Sequence, residues 1–125
     1  MGATRLGKTE WARSFGPHIF FTTMVDLNLW DSKAEYLICD DMEWKFLPMW
    51  VKQQAWGGQR QLTMTDKYKG KKTEENWSKP LIYLCNPHND PREGEGWSIW
   101  HETNCLFFYL RHKLYKERES IDLDI

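Results

Sequence analysis

The sequence predicts an α/β fold of the P-loop nucleotide-binding type, and three observations carry that expectation. Residues 2–9 read G-A-T-R-L-G-K-T, a full match to the phosphate-binding loop whose fixed positions are filled by Gly2, Gly7, Lys8 and Thr9. An apolar run, Y-L-I-C over 36–39, leads straight into Asp40 and Asp41. A second run, L-I-Y-L-C over 81–85, leads into Asn86 and Pro87. Continuous apolar runs of this length, without alternation, read as strands buried on both faces. A P-loop needs a buried strand to deliver the chain to its tight turn, and only Met1 precedes Gly2. The delivering strand is therefore expected from residues outside this chain, so that a three-layer sandwich would lack the strand ahead of the loop.

Taken in order, residues 9–15 should form the helix launched by the loop, stopped by Gly16-Pro17. Residues 18–24 are aromatic and β-branched and read as a strand. Residues 26–33 look like a turn or short helix with Leu27, Leu29 and Trp30 for packing. Residues 35–39 are the first buried-type strand. Within 43–54 the apolar residues Trp44, Leu47, Trp50 and Val51 lie near helical spacing, but Pro48 interrupts them, so the helix should begin near Pro48, where a missing donor costs least. Gly57-Gly58 ends it. Residues 60–72 alternate around Leu62, Met64 and Tyr68 and predict a hairpin turning at Lys69-Gly70-Lys71. Residues 81–85 are the second buried-type strand, 89–96 a loop, 97–104 partly helical, and 105–110 (C-L-F-F-Y-L) a last strand ahead of a charged C-terminal segment.

The 125 residues suit one domain with a real core, and 41% hydrophobic against 28% charged residues favours a globular chain over a disordered one. No apolar run is long enough to cross a bilayer, and the N-terminus lacks the apolar region of a signal peptide. A net charge of -1 gives no general basic footprint for nucleic acid. The distribution is more telling: Arg60, Lys67, Lys69, Lys71 and Lys72 face Asp66 alone, a local surplus of four positive charges. Cys39, Cys85 and Cys105 are odd in number, widely spaced and set among apolar residues, which points to buried thiols in a reducing compartment instead of a disulfide or zinc framework. The eight tryptophans stand mostly among apolar neighbours and are expected in the core or at subunit contacts.

The chemistry follows from residue type and placement. Loop amides from Gly2 to Lys8 would cradle nucleotide phosphates, Lys8 would neutralise the β- and γ-phosphates, and the Thr9 hydroxyl would sit on Mg²⁺. Asp40 and Asp41 at a strand end are costly unless a cation or donors meet them. One carboxylate would hold the shell of Mg²⁺ and the next would orient the attacking water, which neighbouring strand residues can do only if the strand ends between them. The other reading of that pair is an acidic turn capping the following segment. Asn86 can donate to the γ-phosphate or hold the lytic water. Lysines around Tyr68 suit phosphate contacts with the ring stacked on a base; a solvated lysine-rich loop is the alternative. Arg92, with Arg111 as another choice, is a candidate for the arginine that reaches a neighbouring subunit's nucleotide.

With these motifs the chain resembles the superfamily 3 helicase domain of the replication-associated proteins of geminiviruses and their circular single-stranded DNA relatives, including genomovirus-like sequences of fungi. The resemblance covers nearly the whole chain and rests on G-A-T-R-L-G-K-T-E-W-A-R-S over 2–14, the Asp-Leu pair after Val25, Y-L-I-C-D-D over 36–41, G-G-Q-R over 57–60, T-D-K-Y over 65–68 and L-C-N-P over 84–87. It implies an AAA+-like core spanning 1–125 as part of that domain, with Lys8 and Thr9 as Walker A, Asp40 and Asp41 as Walker B, residues 58–72 as a DNA-contacting hairpin motif that includes Arg60, Lys67, Tyr68, Lys69, Lys71 and Lys72, and Asn86 as motif C. It implies ATP and Mg²⁺ as cofactors, single-stranded DNA and further copies of the chain in a ring as partners, and the host nucleus as location. The family's nicking domain uses a histidine pair, whereas His18, His88, His101 and His112 are scattered, so nicking is not expected here. The competing functions are a P-loop phosphotransferase and an inactive module with a DNA-binding or assembly role.

Overall fold

The computed structural model describes residues 7–67 and 70–109. Helix α1 (Lys8–Arg13) starts behind Gly7, whose φ of 84° lies in the left-handed region that glycine enters without a Cβ penalty. The Trp11 amide donates to the Gly7 carbonyl at 3.0 Å, and at the other end the Ser14 amide and hydroxyl both donate to Trp11 O before Gly16-Pro17 turns the chain away. The predicted helix is present, two residues shorter at its C-terminal end.

Strands β1 (His18–Thr22), β2 (Tyr36–Asp40) and, later in the chain, Leu81–Leu84 form a parallel sheet with β2 in the middle. That position accounts for the unbroken Y-L-I-C run, since all four residues are buried, with partners on both sides and packing on both faces. Side chains divide by alternation. Tyr36 and Ile38 pack with Ala12 of α1 and Leu84 on one face, whereas Ile19, Phe21, Leu37 and Cys39 join the larger core on the other. The larger core is covered by the segment after Pro48 and by an antiparallel hairpin of β3 (Leu62–Thr65) and β4 (Lys71–Glu74). The result is a mixed α/β sandwich with two sheets, and Leu81–Leu84 is β5.

The helix expected from Pro48 begins there, with the Val51 and Lys52 amides both donating to the Pro48 carbonyl, and then widens into a π-helical turn over Val51–Ala55. It stops at Gly57-Gly58, where Gly58 has φ 61°. Trp44 falls outside it, in a separate 3-10 turn (Trp44–Phe46). Trp44, Trp50, Trp56 and Trp77 are buried and Trp30 and Trp97 half-buried, as core residues should be; Trp11 and Trp100 are exposed. The three thiols form no disulfide, and burial pushes Cys39 up from 9.0 to about 12.

One strand expectation fails. Over 105–109 the chain carries no ladder, although helix α2 (Ile99–Thr103) and its Ser98/His101 capping box precede it as expected from the partly helical reading of 97–104. A strand is defined by a neighbour, and none lies beside this segment among the described residues; Leu110 falls outside them. Leu106, Phe107 and Phe108 instead face β5 across an apolar groove of about 490 Å³ that Lys8 and Trp11 also border. Among the described residues β5 has one partner, β2, and is the edge of the sheet on that side.

Candidate functional site

The C-terminal ends of the three parallel strands and the start of α1 meet in one place. The Thr9 hydroxyl donates to Asp40 Oδ2 at 2.6 Å. The Lys8 ammonium donates to Asn86 Oδ1 at 2.8 Å and to the Cys85 carbonyl at 3.1 Å. Residues 31 and 78 positions apart in sequence are thus brought to hydrogen-bonding distance by the parallel register that sets Thr22, Asp40 and Leu84 side by side. Burial lowers the Lys8 pKa, and the carboxylates of Asp40 and Asp41, which favour the ammonium, only partly offset it. Burial likewise raises the Cys85 thiol.

Three contacts fix the strand end that carries the carboxylates. The Thr23 amide donates to the Asp40 carbonyl at 3.3 Å from the β1 side, and the Asp41 amide donates to the Leu84 carbonyl at 3.4 Å on the β5 side. The Tyr83 hydroxyl donates to the Met42 carbonyl one residue further on. β2 ends at Asp40, and Asp41 takes φ 54°, a left-handed conformation that costs a non-glycine residue about 1 kcal/mol or more. The strand therefore ends between the two carboxylates, the condition under which they need not point to opposite faces.

Thr9 and Asp40 present two hard oxygen donors, a sparse set that suits Mg²⁺, which keeps several waters and takes one or two carboxylates plus phosphate oxygens. Among the described residues no group of three or more His, Cys, Asp or Glu converges as a self-sufficient metal cage. Gly7 borders the site at the start of α1; Gly2 and the rest of the loop up to Leu6 lie outside the described residues.

The expected hairpin forms, with Leu62 opposite Glu74 and Thr65 opposite Lys71; Lys71, expected in the turn, instead opens β4, which runs two residues past the expected end at Lys72. Lys71 and Lys72 are both exposed but, as strand neighbours, point to opposite faces. Lys67 stands at the turn, whereas Tyr68 and Lys69 lie outside the described residues. Arg60 is at the open end of the hairpin, where its Nε donates to the Glu75 carbonyl and Asn76 Oδ1, each at 3.2 Å, so it braces the base and does not extend the basic tip. Arg92 is held within its own chain: it forms an ion pair with Asp90 at 2.7 Å and lies 3.7 Å over the Phe107 ring. Burial opposes ionisation of Asp90, but the Arg92 hydrogen bonds outweigh it and keep the carboxyl below its ordinary value. Arg111 lies outside the described residues.

Sequence reasoning missed Tyr83 and Asp66. Tyr83 reads as one more apolar strand residue, and nothing local marks its hydroxyl. Asp66 reads as the charge opposing five basic residues, and the one available signal is that Asp is a residue type whose side chain bonds backbone amides at turns.

The sequence is 38% identical to the replication-associated protein of Bean yellow dwarf virus over 117 residues, 87% of this chain and 32% of that protein. Identity to the replication-associated protein of Tobacco yellow dwarf virus (strain Australia) is 36% over 127 residues, 95% of this chain and 36% of the relative. For the same protein of Maize streak virus genotype A (isolate South Africa) it is 37% over 112 residues, 88% and 31%. The chain is homologous to geminivirus replication-associated proteins. It spans about a third of the length of these curated relatives. No protein-family model and no solved structure matches it. Among the described residues no helix is long and apolar enough to cross a membrane.

Proposed function

We propose that this chain is an ATP-hydrolysing module of the superfamily 3 helicase type, part of a rolling-circle replication initiator that works in the host nucleus and moves single-stranded DNA. One observation carries the reading. Four side chains picked from motif spacing, Lys8, Thr9, Asp40 and Asn86, pair across three separate elements as Thr9 with Asp40 and Lys8 with Asn86. Lys8 neutralises the β- and γ-phosphates, exchanging its Asn86 and Cys85 contacts for phosphate oxygens. Thr9 and Asp40 would hold Mg²⁺, which when bound offsets the negative charge of the phosphates. Asp41, turned by its left-handed backbone, orients the attacking water, and Asn86, released from Lys8, holds that water or the γ-phosphate. The loop from Gly2 to Gly7 supplies amides. Lys67, Tyr68, Lys69, Lys71 and Lys72 form the DNA-facing tip, and Arg92 reaches a neighbouring subunit's nucleotide once it leaves Asp90.

The edge of β5 supports the P-loop assignment in a second way. A parallel sheet is normally covered on both faces, and among the described residues β5 has a partner on one side only, its other edge lying beside an apolar groove that Lys8 borders. A further strand there would be the delivery a P-loop needs, and it would give 105–109 the neighbour that makes a strand.

The test is nucleotide hydrolysis by a polypeptide extended upstream of Met1 with an apolar strand. It should bind Mg-ATP and hydrolyse it, Lys8→Ala should fall to background, and Asp40→Asn and Asn86→Ala should lose turnover more than binding. Equal hydrolysis in the parent and in Lys8→Ala would sink the assignment. Wild-type turnover in the other two would return Asp40-Asp41 to an acidic turn and leave Asn86 with no part in turnover.

A further inference from the structure

Asp66 stands just past β3, and its carboxylate joins two parts of the fold. Oδ1 accepts the Gly70 amide at 2.8 Å while the Asp66 amide donates to the Gly70 carbonyl at 3.3 Å, which closes the hairpin turn. Oδ2 accepts the Leu27 amide at 3.0 Å, from the 3-10 turn (Leu27–Leu29) that follows β1. Gly70 is fitted to this arrangement, since a Cβ there would come 3.0 Å from Asp66 Oδ1, an oxygen already held by an amide. The turn after β1 is anchored too: Val25 and Leu27 are buried, and four residues before Leu27 the Thr23 amide donates to the Asp40 carbonyl.

We infer that Asp66 is a positioning residue that holds Gly70 and the start of β4, with Lys71 and Lys72, at a fixed place relative to the strand end carrying Asp40, so that nucleotide bound at Lys8 and Asp40 and single-stranded DNA bound at the hairpin affect one another. The inference rests on the function proposed above. The bridge is short and continuous: Asp40 backbone, Thr23, the buried Val25 and Leu27, the Asp66 carboxylate, Gly70. It also gives a reason for a negative charge amid five basic residues, where phosphate attraction alone disfavours it. Charge and position therefore predict opposite things on neutralising Asp66. If the carboxylate matters through charge alone, Asp66→Asn tightens DNA binding and changes nothing else. If it positions the hairpin, the link to nucleotide is what disappears.

Two measurements on the polypeptide extended upstream, as in the hydrolysis test, decide this, with Asp66→Asn and Asp66→Ala beside the parent. Binding of a fluorescent oligo-dT is followed by anisotropy with and without saturating Mg-ATP; the ratio of the two affinities is the coupling, which must be equal in both directions. The parent should show a ratio of about fivefold or more, at the low end of ordinary allosteric coupling. Both variants should bring it to within about twofold of unity, with affinity in the absence of nucleotide equal to or above the parent's. Amide hydrogen exchange should quicken at Gly70 and Leu27 and stay unchanged at Leu37 in the middle of the sheet. Asp66→Asn keeps one acceptor oxygen and decides the matter should Asp66→Ala not fold. An unchanged ratio, unchanged exchange at Gly70 and Leu27, or faster exchange at Leu37 as well, overturns the inference. A parent that binds both ligands with a ratio of one defeats the inference alone; a parent that binds neither defeats the proposed function as well.

Discussion

The contact between Lys8 and Asn86 can be tested without any activity, by a double-mutant cycle on stability. Lys8 Nζ donates to Asn86 Oδ1 at 2.8 Å in a half-buried setting. A hydrogen bond with one charged partner contributes about 1.5 to 3 kcal/mol when well sheltered. Solvent reaches this one, so about 1 kcal/mol is the reasonable coupling. Lys8→Met, Asn86→Ala and the double variant, followed by urea unfolding with unchanged slopes, should give an interaction energy near that figure, since sites in contact do not add. In a domain of this size such a loss lowers the melting temperature by about 3 to 6 °C. Asn86→Asp supplies the sign: a carboxylate beside the ammonium should raise the Lys8 pKa, leave stability equal or higher, and weaken Mg-ATP binding because the new charge competes with phosphate. An interaction energy below about 0.3 kcal/mol, together with an Asn86→Asp variant that binds nucleotide as the parent does, would refute the contact and with it the geometry on which the Lys8 role is built.

Two further outcomes follow from the core and from the loop after β2. Burial raises the Cys39 thiol from 9.0 to about 12, so the folded state favours the protonated form; that stability is complete below pH 9 and is lost as pH rises from 9 toward 12, by about 1.4 kcal/mol per pH unit. Cys39→Ala should flatten the alkaline limb of the stability curve, and an unaltered limb would show that the thiol titrates freely. Tyr83→Phe removes the hydroxyl that donates to the Met42 carbonyl and should cost about 1 kcal/mol, with faster amide exchange after Asp40 and a larger loss in nucleotide turnover than in nucleotide binding; a variant matching the parent in all three would show that the turn is held by its neighbours alone.

The legible parts of the fold are those whose physics is local. β2 reads as a buried strand because both its faces and both its edges are covered, leaving no polar position to break the run. The hairpin reads from alternation, with Leu62 and Met64 buried and Thr63 and Thr65 exposed. By contrast, whether 105–109 is a strand depends on a neighbour that the segment itself does not encode. The π-helical widening after Pro48 depends on how Val51, Ala55 and the tryptophans fit the sheet, again a matter of packing. The site divides in the same way. Lys8, Thr9, Asp40 and Asn86 stand out because their chemistry recurs at strand ends and loop positions, whereas Tyr83 and Asp66 act through backbone atoms of residues 41 and 39 positions away.

Adjacent carboxylates at the end of a buried strand pose a geometric problem, and the backbone here resolves it. Were β2 to continue through Asp41, alternation would send one carboxylate toward α1 and the other into the tryptophan-rich core, where burying a charge is costly. Ending the strand at Asp40 and turning Asp41 to φ 54° avoids that burial at a cost of about 1 kcal/mol or more. The cost is met by contacts from both flanking strands: Thr23 on the Asp40 carbonyl, the Leu84 carbonyl on the Asp41 amide, and Tyr83 on Met42. These same contacts leave the Asp40 side chain with Thr9 and keep Asp41 near enough to favour the charged form of Lys8. The strain at Asp41 therefore sits where it separates two negative charges, it is matched across the sheet by Thr23 at φ 69°, and the strand ends that hold both in place are the ones that carry the rest of the site.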